Sequence, residues 1–221
     1  MEGHPQGTAD PVAEGGETMN QRVLVNVRGC NGSGKSTIPL SMLDDPEMFV
    51  DTLADSNGEK VISLTVFPTY GWVALGTYFN KTGGLDTVKC IAATEIGVHA
   101  ALCLYPDYDV LMEGILCSTT FSSYAAMFHK VEAAYGVKVL ILSLMPPVDV
   151  AISRVYARNG NKPIKEELIE AKWGMVYRSH QKFKKDGFCT VRVDSSRIPK
   201  GRMLPCFLKT MEKYRGGAHE T

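Results

Sequence analysis

The strongest constraint on this chain is an eight-residue segment, Gly29-Cys30-Asn31-Gly32-Ser33-Gly34-Lys35-Ser36, which satisfies G-x-x-x-x-G-K-[ST] at every fixed position. It follows a short apolar run at 22–28 and precedes a predicted helix reaching residue 43, so a buried strand must turn sharply into a helix. Glycines there let the backbone bend until successive N–H groups face one anion, and a helix N-terminus adds positive partial charge. Gly29, Cys30, Asn31, Gly32, Ser33, Gly34, Lys35, Ser36 and Thr37 are therefore predicted to hold the phosphates of ATP, with Lys35 on the β- and γ-phosphates and the Ser36 hydroxyl on Mg²⁺. Pro39 falls just beyond the first turn of that helix, where it removes a backbone hydrogen bond and favours a kink.

Around this segment strands and helices alternate. Residues 61–67 and 72–78 read as strands separated by Pro68 and Gly71. After the turn at 81–84, Asp86 is placed to cap a helix with Val88, Ile91, Ala92, Ile96, Ala100 and Cys103 on its apolar face. A buried strand at 109–113 ends on Glu113; a helix at 121–135 stops at Gly136; the strand at 138–144 is closed by Pro146-Pro147. Helices follow at 148–158 and 164–185, the second with a stripe of Leu168, Ile169, Trp173, Val176 and Tyr177, then a strand at 190–193 and a short helix near 209–214. This alternation predicts an α/β chain: a three-layer P-loop NTPase fold with a mostly parallel central sheet, of the nucleoside- or nucleotide-kinase kind. In such a sheet the loops at the C-terminal strand edge share one site. Residues 22–221 are expected to form a single kinase domain with a basic lid or helical region at about 150–187. Residues 1–21, rich in Gly, Glu and Pro without periodicity, are expected to be a disordered tail.

The formal net charge is zero but unevenly spread. Residues 1–150 carry 8 Lys/Arg against 17 Asp/Glu, and residues 151–221 carry 16 against 7. A basic final third suits a polyanion such as nucleic acid or nucleotide phosphates; equally, its lysines can be ordinary solvated helix faces and helix C-termini. With 44% hydrophobic and 22% charged residues the chain is not mostly disordered. No apolar run approaches the roughly 20 residues of a membrane-spanning helix. The six scattered cysteines lack a C-x-x-C pair, which argues against a zinc site or a disulfide framework and for reduced thiols in a cytoplasm.

Phosphoryl transfer needs a metal, compensation of phosphate charge and a carboxylate near the attacking oxygen. Glu113, at a strand end on the same sheet edge as the glycine-rich turn, is a candidate metal ligand and base; its alternative is a helix-capping role. Arg154 and Arg158, one turn apart, are candidate transition-state cations, or one ordinary exposed helix face. Asp86 is a second candidate base, though more simply an N-cap. Tyr70, Trp72 and Tyr78 fit core packing better than base stacking, and Ser118, Thr119 and Thr120 read as loop polars of little weight.

Together, residues 29–37 on their strand, Glu113-Gly114 and the Arg154/Arg158 helix resemble the P-loop kinases of the thymidylate kinase family. Gly76-x-Tyr78, Gly83-Gly84-x-Asp86 and Val110-x-x-Glu113-Gly114-x-Leu116-x-Ser118 are similar to its phage-encoded members, which act on 5-hydroxymethyluracil already present in DNA. The resemblance runs from about residue 23 to 193. It implies an ATP- and Mg²⁺-dependent kinase that phosphorylates the hydroxymethyl group of the base, an intermediate toward hypermodified thymidine, with DNA as partner and the host cytoplasm as its compartment. Ordinary thymidylate kinases follow the strand-end carboxylate with an arginine that grips the acceptor's monophosphate; here that position is Gly114, which disfavours free dTMP as acceptor. A small-molecule nucleoside or nucleotide kinase and a non-catalytic ATP-binding accessory protein are the alternatives. The sequence leaves open whether Glu113 or Asp86 is the base, and the oligomeric state.

Overall fold

The structure is a computed structural model that describes residues 21–79, 83–88 and 90–215. In chain order the elements are β1 (Val23–Arg28), α1 (Thr37–Leu40), β2 (Phe49–Ala54), β3 (Lys60–Phe67), β4 (Trp72–Leu75), α2 (Ile91–Leu104), β5 (Asp109–Glu113), α3 (Ile115–Thr119), α4 (Ser122–Tyr135), β6 (Lys138–Leu144), α5 (Val148–Arg158), α6 (Glu166–Lys185), β7 (Cys189–Val193) and α7 (Met203–Arg215).

The strands form one seven-stranded sheet in the order β2-β3-β4-β5-β1-β6-β7. From β4 to β7 every neighbour is parallel; β2 and β3 add an antiparallel flank. β1 and β5 are buried along their whole length, as strands covered on both faces must be. Their side chains alternate between two cores. Leu24 packs with Val98 of α2 and Phe128 of α4, whereas Val23, Val25 and Val27 pack with Trp72 and with Phe207 of α7. Trp72 and Tyr78 are core residues, as their apolar surroundings predict, while Tyr70 is half-buried and donates to Asp44 Oδ1 at 2.9 Å. Among the described residues no helix is long and apolar enough to cross a membrane.

Several expectations need correction. The helix after the glycine-rich turn ends at Leu40 rather than 43: Pro39 has no N–H, and the chain continues to Leu43 only in turns. A four-residue helix has little macrodipole, so its N-terminus contributes little to anion binding. The predicted strand 72–78 stops at Leu75, because Gly76 (φ +97°) turns the backbone away. Asp86 does not cap the long helix. It sits in a 3-10 turn, Leu85–Thr87, and α2 begins only at Ile91. The buried face of α2 is Thr94, Gly97, Val98, Ala101 and Leu102, leaving Ile96 and Cys103 exposed. On α6, Ile169 and Val176 are buried with Ser179, His180 and Phe183, but Leu168 and Tyr177 are exposed. β2 was not anticipated, since its half-exposed pattern lacks an apolar face, and the last helix is longer than expected. The expected N-terminal tail, apart from Gln21, and residues 81–82 of the expected turn lie outside the described residues.

Candidate active site

β1 is the pivot of the sheet. β5 and β4 lie to one side of it and β6 and β7 to the other, all parallel, so the segments that follow them emerge along one edge. A cleft of about 830 Å³ opens at that edge. Its floor is the loop after β1: Cys30, Asn31, Gly32 and Gly34 through Thr37. On the β4–β5 side it is bounded by Gly83, Asp86 and Ile115; on the β7 side by Ser195, Ile198–Gly201 and Met203. Arg154 and Arg158 of α5 and Lys172 of α6 complete the wall.

The loop's conformation needs its glycines. Gly32 and Gly34 have φ of +79° and +94°, and a Cβ on Gly32 would lie 2.2 Å from the Ala151 carbonyl oxygen. Gly29 and Ser33 do not line the cleft; they pack on each other, with the Ser33 hydroxyl buried and without a hydrogen-bond partner among the described residues. Among the described residues the amides of Gly34, Lys35 and Ser36 donate to no protein acceptor, which leaves them for a ligand. Lys35 is almost buried, its ammonium 3.5 Å from the Cys30 carbonyl oxygen.

Glu113 lies directly behind Ser36, whose hydroxyl is 3.2 Å from each carboxylate oxygen. Burial pushes the Glu113 carboxyl up to about 7, and nearby Asp86 pushes the same way, whereas Lys35 and the Ser36 hydroxyl oppose the shift. Glycines hold the second carboxylate beside it. Thr77 and Gly84 pair in an antiparallel bridge, and Gly84 (φ +62°) runs so close that a Cβ there would lie 2.3 Å from Glu113 Oε1. Asp86 Oδ1 accepts the Ile115 amide at 2.7 Å. A Cβ on Gly114 would meet Leu85 Cβ at 3.1 Å and Asp86 Oδ1 at 3.2 Å. The space beside residue 114 is thus filled by the Asp86 turn. Gly84→Ala is accordingly expected to lower both the melting temperature and any activity that needs Glu113, measured by calorimetry and turnover on one preparation.

The two arginines differ. Arg154 is held: its guanidinium donates to the Gly32 carbonyl (3.3 Å), the Ser195 hydroxyl (3.3 Å) and the Ser195 carbonyl (3.1 Å). Ser195 in turn donates to the Ser33 carbonyl at 2.7 Å. Arg158, one turn on, lines the cleft with no ion pair among the described residues.

Three contributors, Ser195, Lys172 and Arg28, escape sequence reasoning, and a fourth, Ser118, was given little weight. Ser195 and Lys172 reach the loop only through long-range packing. Ser118 lies on α3 rather than in a loop, and its hydroxyl accepts the Gly29 amide at 3.2 Å. Arg28, buried at the end of β1, donates to the carbonyls of Ser118 (2.6 Å) and Thr120 (3.1 Å) and to the Ser179 hydroxyl (2.6 Å). Burial lowers its guanidinium to about 10. It ties the segment after Glu113 to α6. A charged residue in an apolar strand is the only local signal of that role.

Among the described residues no three His, Cys, Asp or Glu side chains gather. A hydroxyl backed by a carboxylate, with a second carboxylate nearby, is nevertheless a donor set suited to Mg²⁺, which keeps several waters and takes phosphate oxygens.

A family model described as 5-hmdU DNA kinase matches residues 9–202. The chain belongs to this family. A 5-hmdU DNA kinase of Bacillus phage SP10 is 43% identical over 80% of the chain, but the match covers 27% of that relative, so the chain spans about a quarter of its length. The 5-hmdU DNA kinase 1 of Salmonella phage ViI is 34% identical over 79% of the chain and 76% of its own length. The 5-hmdU DNA kinase of Pseudomonas phage M6 is 33% identical over 74% and 86%. The family's name describes a DNA-directed kinase, in line with the resemblance drawn from the loop and the Glu113-Gly114 strand end.

Proposed function

We propose that the chain is an ATP-dependent kinase of the P-loop NTPase fold that phosphorylates the hydroxymethyl group of 5-hydroxymethyluracil in DNA, giving 5-phosphomethyl-deoxyuridine. One observation carries the reading beyond the family name. Beside the phosphate loop, where an acceptor-gripping arginine would stand, Gly114 yields its space to the Asp86 carboxylate. That exchange removes a clamp for a monophosphate and supplies a group suited to a hydroxyl acceptor.

The amides of Gly34, Lys35 and Ser36, with the Lys35 ammonium, cradle the β- and γ-phosphates. Ser36 and Glu113 would hold Mg²⁺ through its water shell, where the ion offsets negative charge on the phosphate oxygens. Arg158 and Lys172 neutralise the transferring group from the opposite wall, and Arg154 keeps the loop in shape through Gly32 and Ser195. Ile198, Pro199 and Met203 offer an apolar surface to the nucleobase of ATP. Asp86, exposed at the acceptor end, accepts the proton of the hydroxymethyl group as its oxygen bonds to the γ-phosphorus. The bond from that phosphorus to the bridging oxygen breaks, and ADP leaves. Residues 150–187, spanning the cationic part of the wall, serve as the lid.

Incubation with ATP, Mg²⁺ and DNA containing 5-hydroxymethyluracil, then digestion and mass analysis, should reveal the phosphomethyl nucleoside. Label confined to free nucleosides or monophosphates would instead mark a small-molecule kinase, and ATP binding without transfer an accessory protein. Asp86→Asn keeps an oxygen for the Ile115 amide but cannot take a proton. It should lower kcat about 100-fold with the KM for ATP unchanged.

A further inference from the structure

Arg28 is the one charged residue of β1, and it has no exposed surface. Among the described residues no carboxylate lies within 4 Å of its guanidinium. Its acceptors are all neutral. Nη1 donates to Asn26 Oδ1 at 2.8 Å, Nη2 serves the Ser118 and Thr120 carbonyls and the Ser179 hydroxyl, and Nε has no partner among the described residues. The Phe183 ring centre lies 4.6 Å from the guanidinium. A buried cation without a counterion is a poor way to stabilise a core, where an apolar side chain of similar volume serves as well or better. What this group supplies is position.

Its acceptors bracket α3. A helix of five residues is too short to hold itself in water, and this one is fixed at three points. At its start the Ile115 amide donates to Asp86 Oδ1. At its end Arg28 takes the Ser118 and Thr120 carbonyls, groups of the kind that a helix C-terminus leaves unpaired. Between them the Ser118 hydroxyl accepts the amide of Gly29, the first residue of the phosphate loop. The bond to Ser179 brings in α6, whose Lys172 stands seven residues earlier, about two turns back on nearly the same face. The segment bonded to Asp86, the start of the phosphate loop and the cationic wall thus meet at one buried group.

We infer that Arg28 is a positioning residue for phosphoryl transfer: by clamping the end of α3 it holds the Ile115 amide, and with it the Asp86 carboxylate, at a fixed distance from the phosphate loop. The inference rests on the assignment of Asp86 as base. Arg28 itself touches neither ATP nor acceptor. Without its guanidinium, α3 keeps its bond to Asp86 but loses its registration on β1, and the carboxylate moves with the helix. A misplacement of about 1 Å at a reacting centre costs on the order of 100-fold in rate.

Arg28→Met fills similar space without a donor, and Arg28→Lys returns one nitrogen with three hydrogens for the acceptors of Nη2. On DNA containing 5-hydroxymethyluracil, Arg28→Met should lose about 30-fold or more in kcat, with the KM for ATP within about twofold. Arg28→Lys should recover kcat to within about fivefold of the unaltered chain. Added to Asp86→Asn, Arg28→Met should cost less than about threefold more, because both act through one element. Losses that multiply, or a loss confined to the KM for ATP, would overturn the inference. Hydrogen exchange gives a readout apart from turnover: in Arg28→Met the amides of residues 113–121 should exchange at least about tenfold faster while those of β6 keep their rates. Uniform acceleration, or none, would also overturn it. Should Arg28→Met fail to fold, Arg28→Gln takes its place under the same expectations. If Asp86→Asn turns over normally, the base assignment falls, and the exchange rates with the kcat of Arg28→Met still decide whether Arg28 positions α3.

Discussion

Lys35→Ala should abolish at least 99.9% of phosphate transfer, a loss of about 1000-fold or more in kcat, while the protein keeps its fold. The ammonium is almost buried and, among the described residues, rests on the Cys30 carbonyl without an ion pair closer than 4 Å, so its charge is held for a ligand. Its loss acts twice. The β- and γ-phosphates lose their nearest protein cation, and Glu113 loses the largest influence opposing its upward shift. A carboxyl already at about 7 would rise further and be largely protonated at neutral pH. The residual activity of Lys35→Ala should therefore climb with pH over a range where that of the unaltered chain is flat. Radiolabel transfer across a pH series measures both effects, and a variant with normal turnover would rule out the phosphate-cradle reading of the loop.

Glu113→Gln should show opposite effects on activity and stability. The amide can keep a hydrogen bond to Ser36 but carries no charge, so turnover should fall about 100- to 1000-fold. Stability without nucleotide should rise. The native carboxyl titrates at about 7 and the unfolded one near 4.5, so between these values the native state holds more protons than the unfolded state. Its stability then declines as pH rises through that window and levels off above it. The full shift is worth about 3 kcal/mol at most. Glu113→Gln avoids this cost, so its melting temperature should exceed that of the unaltered chain by several degrees at pH 8 and match it near pH 4.5. Magnesium and nucleotide should narrow the gap at pH 8, since they favour the ionised carboxylate. A difference that does not vary with pH would show that Glu113 is not strained by burial.

The parts of the fold that sequence reasoning recovers are those encoded by local pattern. β6 and α5 lie where their apolar spacing and flanking prolines put them, because a continuous apolar run or a one-sided helix has few other ways to be buried. β2 was illegible because it is held by pairing with β3 rather than by an apolar face of its own. The glycine-rich turn after β1 was legible because its motif, Gly29–Ser36, is concentrated in eight consecutive residues. Asp86 shows the opposite case: its sequence neighbourhood suggests a cap for the following helix, but its partner is the amide of Ile115, 29 residues away, reached only because Gly76 and Gly84 allow two backbones to touch. Ser195 and Arg28 were missed for the same reason, since each is defined by carbonyls far along the chain, and Ser118 was read only as a loop polar because its partner is the Gly29 amide, 89 residues away.

Ser195 and Arg154 lash the segment after β7 to the underside of the phosphate cradle through the carbonyls of Ser33 and Gly32. On the proposed reading, a nest tethered in this way is already set before ATP arrives. Little chain freedom is left to lose, so nucleotide association need not wait for this loop to rearrange.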